Sequence, residues 1–387
     1  MSPLCESFLD SDALDQMEPF YPLHVRICGS CLLAQLETYV PAEEIFGGDY
    51  AYFSAYSDSW VEHARVYAER MIDRLDLSDR SLVVELASND GYLLQHFVRR
   101  GIPSLGIDPA RNVADAARRR GVETLVDFFG AELSETLVAD RGGADLVVAN
   151  NVLAHVPDVN DFVEGIRTLL GPDGVATVEV PHLVRLVEGL QFDTIYHEHY
   201  SYFSFHTLVR LFREHDLQVF DVEELASHGG SLRVFVGHPG EPEASVEALL
   251  EREREGGYDS PEGYEGFGDR VAETKRRLLE LLIALRGDAK RIAGYGAPGK
   301  GNTLLNYCGI RTDFLDYTVD RNPGKHGKFL PGTHIPVHPP ARLAETRPDY
   351  VLVLPWNLRR EIAAQLEYVR EWGARLIVPI PVPEVLP

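Results

Sequence analysis

Leu82-Val-Val-Glu-Leu-Ala-Ser-Asn-Asp-Gly91-Tyr-Leu-Leu94 is the stretch of sequence that decides the fold. Its first part, Leu82–Leu86, is apolar except for one acid and predicts a buried strand. The turn Ala87–Gly91 follows, and apolar residues then recur at helical spacing up to Val98. A strand, a glycine-containing turn and a helix in direct succession predict the first unit of a nucleotide-binding α/β domain.

Strands and helices continue to alternate after this unit. Further strands are predicted at 104–108, 145–149 and 174–180, with helices at 113–120 and 160–170. A second unit of the same kind begins with a strand at 291–295, a glycine-rich loop at 296–301 and a helix from Asn302, and further strands are predicted at 317–319 and 350–354. This alternation predicts an α/β fold, with a doubly wound parallel sheet in a Rossmann-like first domain, a second α/β domain at the C-terminus and a small irregular domain at the N-terminus.

The turn after the first strand indicates which cofactor the first domain binds. A dinucleotide-binding turn has the pattern Gly-x-Gly-x-x-Gly, whereas this turn has one glycine, Gly91, and Ala87 at the place of the first. Glu85 near the end of the strand favours S-adenosylmethionine, whose amino-acid portion and sulfonium are cationic. Asp108, at the end of the second strand, is placed to accept hydrogen bonds from ribose hydroxyls. The alternative is that both acids only cap strand ends.

A third landmark follows the strand at 145–149. Asn150, Asn151 and His155 come after its carboxyl end, where open α/β sheets bind their ligands. These side chains are therefore expected to face the same crevice as Glu85 and Asp108. The alternative is that His155 caps a helix or packs in the core.

The run Tyr196-His-Glu-His-Tyr200 places five residues in a row that accept, donate or relay protons. Two histidines at i and i+2 would point apart on a helix, which argues against a helical zinc site of the His-Glu-x-x-His type. The aromatic residues around the run indicate a strand or loop instead. Such a cluster is costly to bury without a function, so acid–base chemistry is expected here.

Composition limits the classes of partner. The net charge of −23 argues against a nucleic-acid or anionic membrane surface. No apolar run is long enough to cross a bilayer, and the first 20 residues lack the pattern of a signal peptide, so a cytoplasmic location is predicted. The four cysteines are too few for a disulfide scaffold. The oligomeric state is left open.

Four motifs in this order resemble the bacterial deoxysugar C-methyltransferases, which use S-adenosylmethionine to methylate nucleotide-linked keto sugars in antibiotic pathways. They are Glu85–Leu94, Asn151–Asp158, Tyr196–Ser204 and Gly294–Asn302, and the similarity covers nearly the whole chain. The resemblance implies a zinc-binding N-terminal domain, an S-adenosylmethionine domain and a C-terminal α/β domain that completes the nucleotide-sugar site.

The resemblance also implies roles for individual residues. His199 becomes the general base, with Glu198, Tyr196, His155 and Tyr56 as its catalytic neighbours. The substrate-binding residues implied are Tyr50, Tyr52, Asn151, His197, Tyr202, Lys300 and Asn302. The cofactor-binding residues implied are Glu85, Ala87, Asn89, Gly91, Tyr92, Leu93, Asp108, Pro109, Phe128, Asn150 and Asn151. The resemblance does not decide which of Tyr50, Tyr52 and Tyr56 is functional.

One part of the family pattern is missing from this sequence. Family members carry two Cys-x-x-Cys pairs that together bind zinc, but here only Cys28 and Cys31 form such a pair. Two thiolates do not close a tetrahedral zinc site. Either the zinc module has decayed, or the true start lies upstream of Met1. Cys5 could supply a third ligand, but the family motif normally has a small non-ligand residue at its place. Cys28 and Cys31 are thus predicted as an incomplete metal site.

These features predict four regions. They are a reduced zinc-ribbon-like segment and helix (1–75), an S-adenosylmethionine-binding domain (76–238), a linker and helix (239–287), and a C-terminal α/β domain that contributes to nucleotide-sugar binding (288–387).

The expected reaction is methylation of a carbon next to a sugar ketone, because the ketone acidifies that C–H and an imidazole can remove the proton. Hydrogen-bond donors must then stabilise the enolate oxygen, and Tyr196, Tyr56 and His155 are the candidates. Two alternatives stay open. One is a protein of the same fold with an accessory binding role or other acid–base chemistry; the other is a nicotinamide-dependent sugar oxidoreductase, which the absent Gly-x-Gly-x-x-Gly pattern disfavours.

Overall fold

The computed structural model describes residues 1–46, 50, 53–238 and 240–386. Tyr52, a predicted substrate-binding residue, lies outside the described residues. The strands are β1 (Arg26–Ile27), β2 (Ala34–Gln35), β3 (Val83–Leu86), β4 (Ser104–Ile107), β5 (Thr124–Leu125), β6 (Ala144–Asn150), β7 (Leu170–Pro181), β8 (Ser201–Tyr202), β9 (Gln218–Leu225), β10 (Ser231–Gly237), β11 (Ile292–Tyr295), β12 (Thr318–Val319), β13 (Val337–His338), β14 (Tyr350–Val353), β15 (Arg375–Val378) and β16 (Glu384–Leu386).

The helices alternate with these strands. The α-helices are α1 (Ala42–Phe46), α2 (Asp58–Arg74), α3 (Leu94–Val98), α4 (Arg111–Arg119), α5 (Ala131–Arg141), α6 (Val159–Leu169), α7 (Leu183–Glu188), α8 (Phe205–Arg213), α9 (Ala244–Glu255), α10 (Phe267–Gly287), α11 (Gly299–Cys308), α12 (Arg342–Thr346) and α13 (Arg359–Gln365). Short 3-10 turns occur between them, among them Ser54–Tyr56, Leu153–His155 and Ser227–Gly229. Within these described segments, no helix is long and apolar enough to span a membrane.

Two compact units make up the chain. Unit one consists of residues 1–25, 184–197 and 264–387, and unit two of residues 26–183 and 198–263. The run Tyr196–Tyr200 is divided between them, since His197 is the last residue of its segment in unit one and Glu198 begins a segment of unit two.

The main sheet of unit two has the strand order β5-β4-β3-β6-β7-β10-β9. Strands β3 to β7 are parallel, and β10 is antiparallel to both β7 and β9. All four residues of β3 are buried, as expected for a central parallel strand whose two faces are both covered. From β3 the chain adds β4 and β5 on one side of the sheet, and it then adds β6 on the other side of β3. Ligands bind beyond the carboxyl ends of the strands where the strand order changes in this way.

Unit one has its own sheet, in the order β13-β12-β11-β14-β15-β16. The strands are parallel except β16, which runs antiparallel to β15. The predicted second α/β unit is therefore present. Its helix α11 begins at Gly299, three residues before the predicted start.

Three features of the fold differ from the sequence-based expectations. The sheet of unit two is mixed rather than wholly parallel, because β9 and β10 form an antiparallel hairpin. The predicted linker contains helix α9, whose Val246 and Leu249 are buried in the core of unit two. Residues 1–25 belong with the C-terminal α/β unit, where Leu9 and Phe329 form an antiparallel bridge, and not with the helix at 58–74.

Helix α9 is held by a buried carboxylate that local composition does not reveal. Glu253 accepts hydrogen bonds from the backbone N–H groups of Phe205 and His206, each at 2.8 Å, and so caps the first turn of α8. The same carboxylate lies 2.7 Å from Nε2 of His182. Because these partners are distant in sequence, the charged sequence of α9 resembles that of a solvated linker.

Candidate active site

The turn after β3 has a left-handed backbone at three positions. Ala87, Asn89 and Gly91 have φ angles of 54°, 49° and 76°. A side chain at Gly91 would also lie 3.0 Å from a methyl group of Val122. Left-handed non-glycine residues are uncommon and strained, and they concentrate at ligand sites. This turn is therefore held in a specific shape at the carboxyl end of the central strand.

Asp108, just beyond the end of β4, holds the turn in place. One carboxylate oxygen accepts the N–H of Asn89 and the other accepts the N–H of Ala110, both at 2.9 Å. Burial raises the pKa of Asp108 to about 6, although these two hydrogen bonds oppose the shift. The predicted cofactor residue Pro109 follows it directly and is partly buried.

Several buried polar atoms around the turn lack hydrogen-bond partners in the part of the chain that the structure describes. They are Oε2 of Glu85, Oγ of Ser88, Oδ1 of Asp90, Oδ1 of Asn150 and both amide atoms of Asn151. Burial raises the pKa of Glu85 well above its usual value, and the charges of Asp108 and Asp90 add to the effect. Buried polar atoms normally have partners. A ligand with ammonium, sulfonium and hydroxyl groups would supply them, so these residues fit S-adenosylmethionine.

The other predicted cofactor residues have different surroundings. Tyr92 and Leu93 are buried in the apolar layer between α2, α3 and the sheet, which indicates a packing role for their side chains. Phe128 is 40% exposed.

The segment before α2 is tied to the cofactor turn. The backbone N–H of Ser54 donates to Oδ1 of Asn89 at 2.9 Å, and the N–H of Ala55 donates to Asp90 at 3.3 Å. The backbone N–H and carbonyl of Tyr50 both pair with the side-chain amide of Asn112, at 3.1 and 2.9 Å. Ser54 and Ala55 thus lie beside the turn, and Tyr56, which follows them, is exposed.

Two histidines of unit two lie together near the carboxyl end of β6. The ring centroids of His155 and His199 are 4.6 Å apart. The ring of Tyr202 lies 5.8 Å from that of His199, so this predicted substrate residue is part of the same cluster. Glu198 and His199 are both buried. His155 and His199 are thus neighbours, and their assignment to one catalytic site stays a prediction.

The hydrogen bond of His155 fixes its tautomer. Nδ1 lies 2.8 Å from the backbone carbonyl oxygen of Glu198, and because a carbonyl only accepts, Nδ1 carries the proton. Burial lowers the pKa of His155 to about 4, with an additional lowering from the charge of His228. At neutral pH the ring is neutral, and its Nε2 is an acceptor. This geometry corrects the expectation that His155 donates a hydrogen bond to an enolate oxygen.

Tyr196 and His197, the first two residues of the run Tyr196–Tyr200, belong to unit one. Nε2 of His197 donates to the carbonyl oxygen of Pro22 at 3.0 Å, and the His197 ring meets that of Tyr21 edge to face. Burial lowers the pKa of His197. Tyr196 is partly buried. The engagement of His197 by the N-terminal segment leaves His199 as the histidine of the run that accompanies His155.

Lys300 and Asn302 lie at the start of α11 in unit one. Nζ of Lys300 donates to Oδ1 of Asn357 at 3.0 Å, and burial lowers the pKa of Lys300, opposed by the charge of Asp193. The side-chain amide of Asn302 donates to the backbone carbonyl of Cys5 at 2.6 Å. Both residues therefore have internal partners in unit one, and their assignment to substrate binding stays a prediction.

The cysteine pair lies in unit two, whereas Cys5 lies in unit one. Backbone hydrogen bonds from Cys31 and Ser30 lower the pKa of the Cys28 thiol. Among the described residues, no group of three or more His, Cys, Asp or Glu side chains is arranged to hold a metal ion. Two thiolates do not fit a closed zinc site.

A buried charged network on the cofactor side of unit two escaped prediction from the sequence. Glu179, in register with Asn150 on the neighbouring strand, lies 2.7 Å from Nη2 of Arg233 and 3.2 Å from Nε2 of His63. Ser227 donates to its other carboxylate oxygen at 2.8 Å. The only signal in the sequence is an acid between two valines in a strand. That acid indicates an unusual buried position, but the sequence does not show which distant residues pair with it.

The fold and site define the class of the protein. Counted along the chain, the main sheet of unit two has the order 3-2-1-4-5-7-6, whereas the dinucleotide-binding fold has 3-2-1-4-5-6. Residues 60–222 match a family model described as a methyltransferase domain. With the polar groups that suit S-adenosylmethionine, these observations define an S-adenosylmethionine-dependent methyltransferase and exclude the nicotinamide-dependent alternative.

Matches outside the methyltransferase domain identify the family to which the chain belongs. Residues 226–381 match a model described as "C-methyltransferase C-terminal domain", and residues 1–46 match one described as "Putative zinc binding domain". The C-methyltransferase NovU of Streptomyces niveus is 39% identical over 388 residues, which cover all of this chain and 92% of that protein. The chain therefore belongs to this C-methyltransferase family, and it is an S-adenosylmethionine-dependent C-methyltransferase.

Two further matches concern only part of the chain. A ubiquinone biosynthesis O-methyltransferase of Rhodopseudomonas palustris is 30% identical over 112 residues, covering 28% of this chain and 44% of that protein. A solved S-adenosylmethionine-dependent methyltransferase from Clostridium acetobutylicum is 11% identical, with a TM-score of 0.38, and covers 46% of this chain and 92% of that one.

Replacement of Asp108 by Asn is expected to weaken S-adenosylmethionine binding by about ten- to a hundredfold, since a hydrogen bond to a charged group contributes roughly 1.5–3 kcal/mol. Because the pKa of Asp108 is raised to about 6, the wild-type affinity should rise with pH through that value as the carboxylate ionises. Titration calorimetry between pH 5 and 8 measures both effects. The pH dependence near 6 should be lost in Asp108→Asn; if it persists there, another group is responsible.

Proposed function

We propose that this enzyme methylates a carbon next to the ketone of a nucleotide-linked keto deoxysugar, with thymidine diphosphate as the nucleotide, in the biosynthesis of an antibiotic sugar. The observation that carries the proposal is the pair of His155 and His199, 4.6 Å apart between ring centroids, near the carboxyl end of β6. A sugar carbon becomes nucleophilic only when a ketone acidifies its C–H, and imidazole is a suitable base near neutral pH.

The roles of the residues follow from this chemistry. Bound S-adenosylmethionine would supply an electrophilic methyl group. His199 takes the proton from the carbon next to the ketone, the electron pair of the broken C–H bond forms a C=C bond, and the π electrons of the C=O bond move to the oxygen. His155, neutral and with Nε2 as an acceptor, receives a hydrogen bond from a sugar hydroxyl. The carbon would then form a bond to the methyl group as the bond from sulfur to methyl breaks, S-adenosylhomocysteine would leave, and the carbonyl would be restored.

The other site residues orient the substrate. Glu198 presents its backbone carbonyl to His155 and so fixes the acceptor nitrogen that the sugar meets. The residues proposed to contact the sugar or its diphosphate are Tyr50, Tyr52, Tyr56, Asn151, Tyr196, His197, Tyr202, Lys300 and Asn302. Precise positioning of the reacting carbon supplies much of the rate in such a displacement.

The test is incubation of the enzyme with thymidine diphosphate-linked 4-keto-deoxysugars and S-adenosylmethionine that carries a ¹³C-labelled methyl group. The expected product shows the label bonded to a ring carbon by NMR, together with S-adenosylhomocysteine in equal amount. Label on oxygen would contradict the proposal.

A second measurement distinguishes C-methylation from the remaining alternative, a protein of the same fold with other acid–base chemistry or an accessory role. Solvent exchange at the acidic C–H without any methyl transfer, when S-adenosylmethionine is bound, would indicate epimerase-like acid–base chemistry. Binding of sugar and cofactor without exchange or transfer would indicate an accessory role.

A further inference from the structure

Residues Cys5–Phe8, here termed the strap, cover the start of helix α11 in unit one. The side-chain amide of Asn302, in the first turn of that helix, donates to the carbonyl oxygen of Cys5 at 2.6 Å, while its Oδ1 is buried and has no partner in the described part of the chain. A β-carbon added at Gly299 would lie 2.8 Å from Sγ of Cys5 and 3.1 Å from Oε1 of Glu6. Asn302 is 1% exposed, so a substrate can reach it only when the residues that cover it, Cys5 among them, move away.

The carboxylate of Glu6 lies where an anionic ligand would bind. Helix α11 follows the glycine-rich loop at the carboxyl end of β11, and α/β folds bind phosphate groups at such a helix start. The backbone N–H groups of Gly299 and Lys300 have no hydrogen-bond partner among the described residues. Oε2 of Glu6 lies 3.2 Å from Nζ of Lys325, which also donates to the carbonyl oxygen of Ala297 in the loop at 2.8 Å. Glu6 therefore neutralises a lysine that lies beside this loop.

The glycine-rich loop has the surroundings of a ligand site. From β11 the chain adds β12 and β13 on one side of the sheet and β14 on the other, and ligands bind beyond the carboxyl ends of the strands where the order changes in this way. The first residue after the first strand is left-handed in both α/β units, with φ of 54° at Ala87 and 87° at Gly296. The carboxylate of Asp320, after β12, accepts the N–H of Ala297 in the loop at 2.6 Å, as Asp108 does for the turn of unit two. Unit one therefore repeats the framework of the cofactor turn, with the strap at its helix start.

The strap lies between two backbone anchors. On one side, Ser2 and Tyr21 exchange two backbone hydrogen bonds of 2.9 Å. On the other side, Leu9 and Phe329 exchange two of 3.0 and 2.8 Å. The four residues of the strap can therefore leave the start of α11 while both anchors stay in place.

We propose that the strap is autoinhibitory: it closes the nucleotide site of unit one in the free enzyme, and the diphosphate of the nucleotide-linked sugar displaces it. The inference rests on the proposed function, which assigns Lys300 and Asn302 to the substrate. The diphosphate takes the place of the Glu6 carboxylate beside Lys325 and accepts hydrogen bonds from the free N–H groups at the start of α11. Displacement of the strap uses part of the binding free energy, so the apparent affinity for the nucleotide is lower than that of the open site.

The thiol of Cys5 reports the position of the strap in the wild-type enzyme. Cys5 is 3% exposed, and Cys308 at the end of α11 has the same exposure. Saturating thymidine diphosphate should raise the rate at which iodoacetamide alkylates Cys5 by about tenfold or more, because displacement of the strap exposes its Sγ. The rate at Cys308, the matched control, should not change. Mass spectrometry of the digested protein measures both rates.

Glu6→Gln removes the competing charge and nearly keeps the size of the side chain. Titration calorimetry should show that thymidine diphosphate binds about tenfold more tightly than to the wild type, since less of the binding free energy is used to displace the strap. KM for the nucleotide-linked keto sugar should also fall. Asp10→Asn is the matched control, because Asp10 is an exposed acid just beyond the strap, 3.9 Å from Lys328. Its loss of one negative charge should change the affinity by less than about twofold.

Other results would overturn the inference. Unchanged or slower alkylation of Cys5 in the presence of thymidine diphosphate would show that the strap stays closed. An affinity of Glu6→Gln equal to or lower than that of the wild type would show that Glu6 does not compete with the diphosphate. If Glu6→Gln does not fold, the alkylation of the wild-type enzyme decides alone. Absence of methyl transfer to any nucleotide-linked keto sugar, with the Cys5 response intact, would instead refute the proposed function, so the two failures are distinguishable.

Discussion

Replacement of His199 by Ala is expected to lower the rate of methyl transfer by about a thousandfold, within the range of general-base catalysis. His199, the proposed general base, is buried and lies 4.6 Å from His155 between ring centroids. Its replacement by Ala removes the proposed base. S-adenosylmethionine binding should be retained, because the polar groups of the cofactor turn are separate from the His199 side chain. Single-turnover methyl transfer and titration calorimetry measure the two quantities.

Two histidines of the same chain serve as comparisons for His199→Ala. His215 pairs with Glu164 and Asn160 on helix α6, so His215→Ala should leave the rate within about twofold. His197 donates to the Pro22 carbonyl in unit one, and its removal should raise KM or lower stability more than it lowers kcat. A loss of kcat for His197→Ala equal to that for His199→Ala would refute the assignment of the base.

The strands that position the site could be predicted because their pattern is local. The segment Leu82–Leu86 is a nearly continuous apolar run, and the strand observed there is Val83–Leu86. The same holds for β6, where the sequence places Asn150 and Asn151 at the carboxyl end. Parallel strands end at one edge of a sheet, so residues that directly follow them are expected in one crevice from their place in the sequence alone.

The parts that escaped prediction depend on partners distant in sequence. Strand β9 carries Asp221, Glu223 and Glu224, and these acids conceal its strand pattern until their arginine partners are known, such as Arg74 for Asp221. The tautomer of His155 depends on a carbonyl 43 residues away. A local pattern records the preference of each residue for strand or helix, but it does not record which distant group will satisfy a buried proton or charge.

The largest effect on stability is expected when the buried pair of Glu179 and Arg233 is broken. Their side chains are 0% and 2% exposed and 2.7 Å apart, and Arg233 also stacks on the ring of Tyr67 at 4.5 Å. Arg233→Met should lower the free energy of unfolding by about 3–5 kcal/mol, because it leaves a buried carboxylate without its main partner. Arg70→Met is the matched control, since the side chains of its pair with Glu223 are 44% and 25% exposed, and it should cost at most about 1 kcal/mol. Urea denaturation at pH 7 compares them.

The pH dependence of stability provides an independent check on Glu179. Burial alone would raise the pKa of Glu179, but the hydrogen bond with His63 and the charges of Arg233 and His63 outweigh it and lower the pKa from 4.5 to about 2. A lowered carboxyl pKa stabilises the folded state above the ordinary pKa, and that stabilisation is lost as the pH falls from about 4.5 towards 2. The difference corresponds to about 3 kcal/mol. Glu179→Gln removes the titrating group, so its stability should fall less steeply below pH 4.5 than that of the wild type. Equal slopes for the two proteins would show that the pKa of Glu179 is the same in the folded and unfolded states, and that Arg233 and His63 do not stabilise its carboxylate.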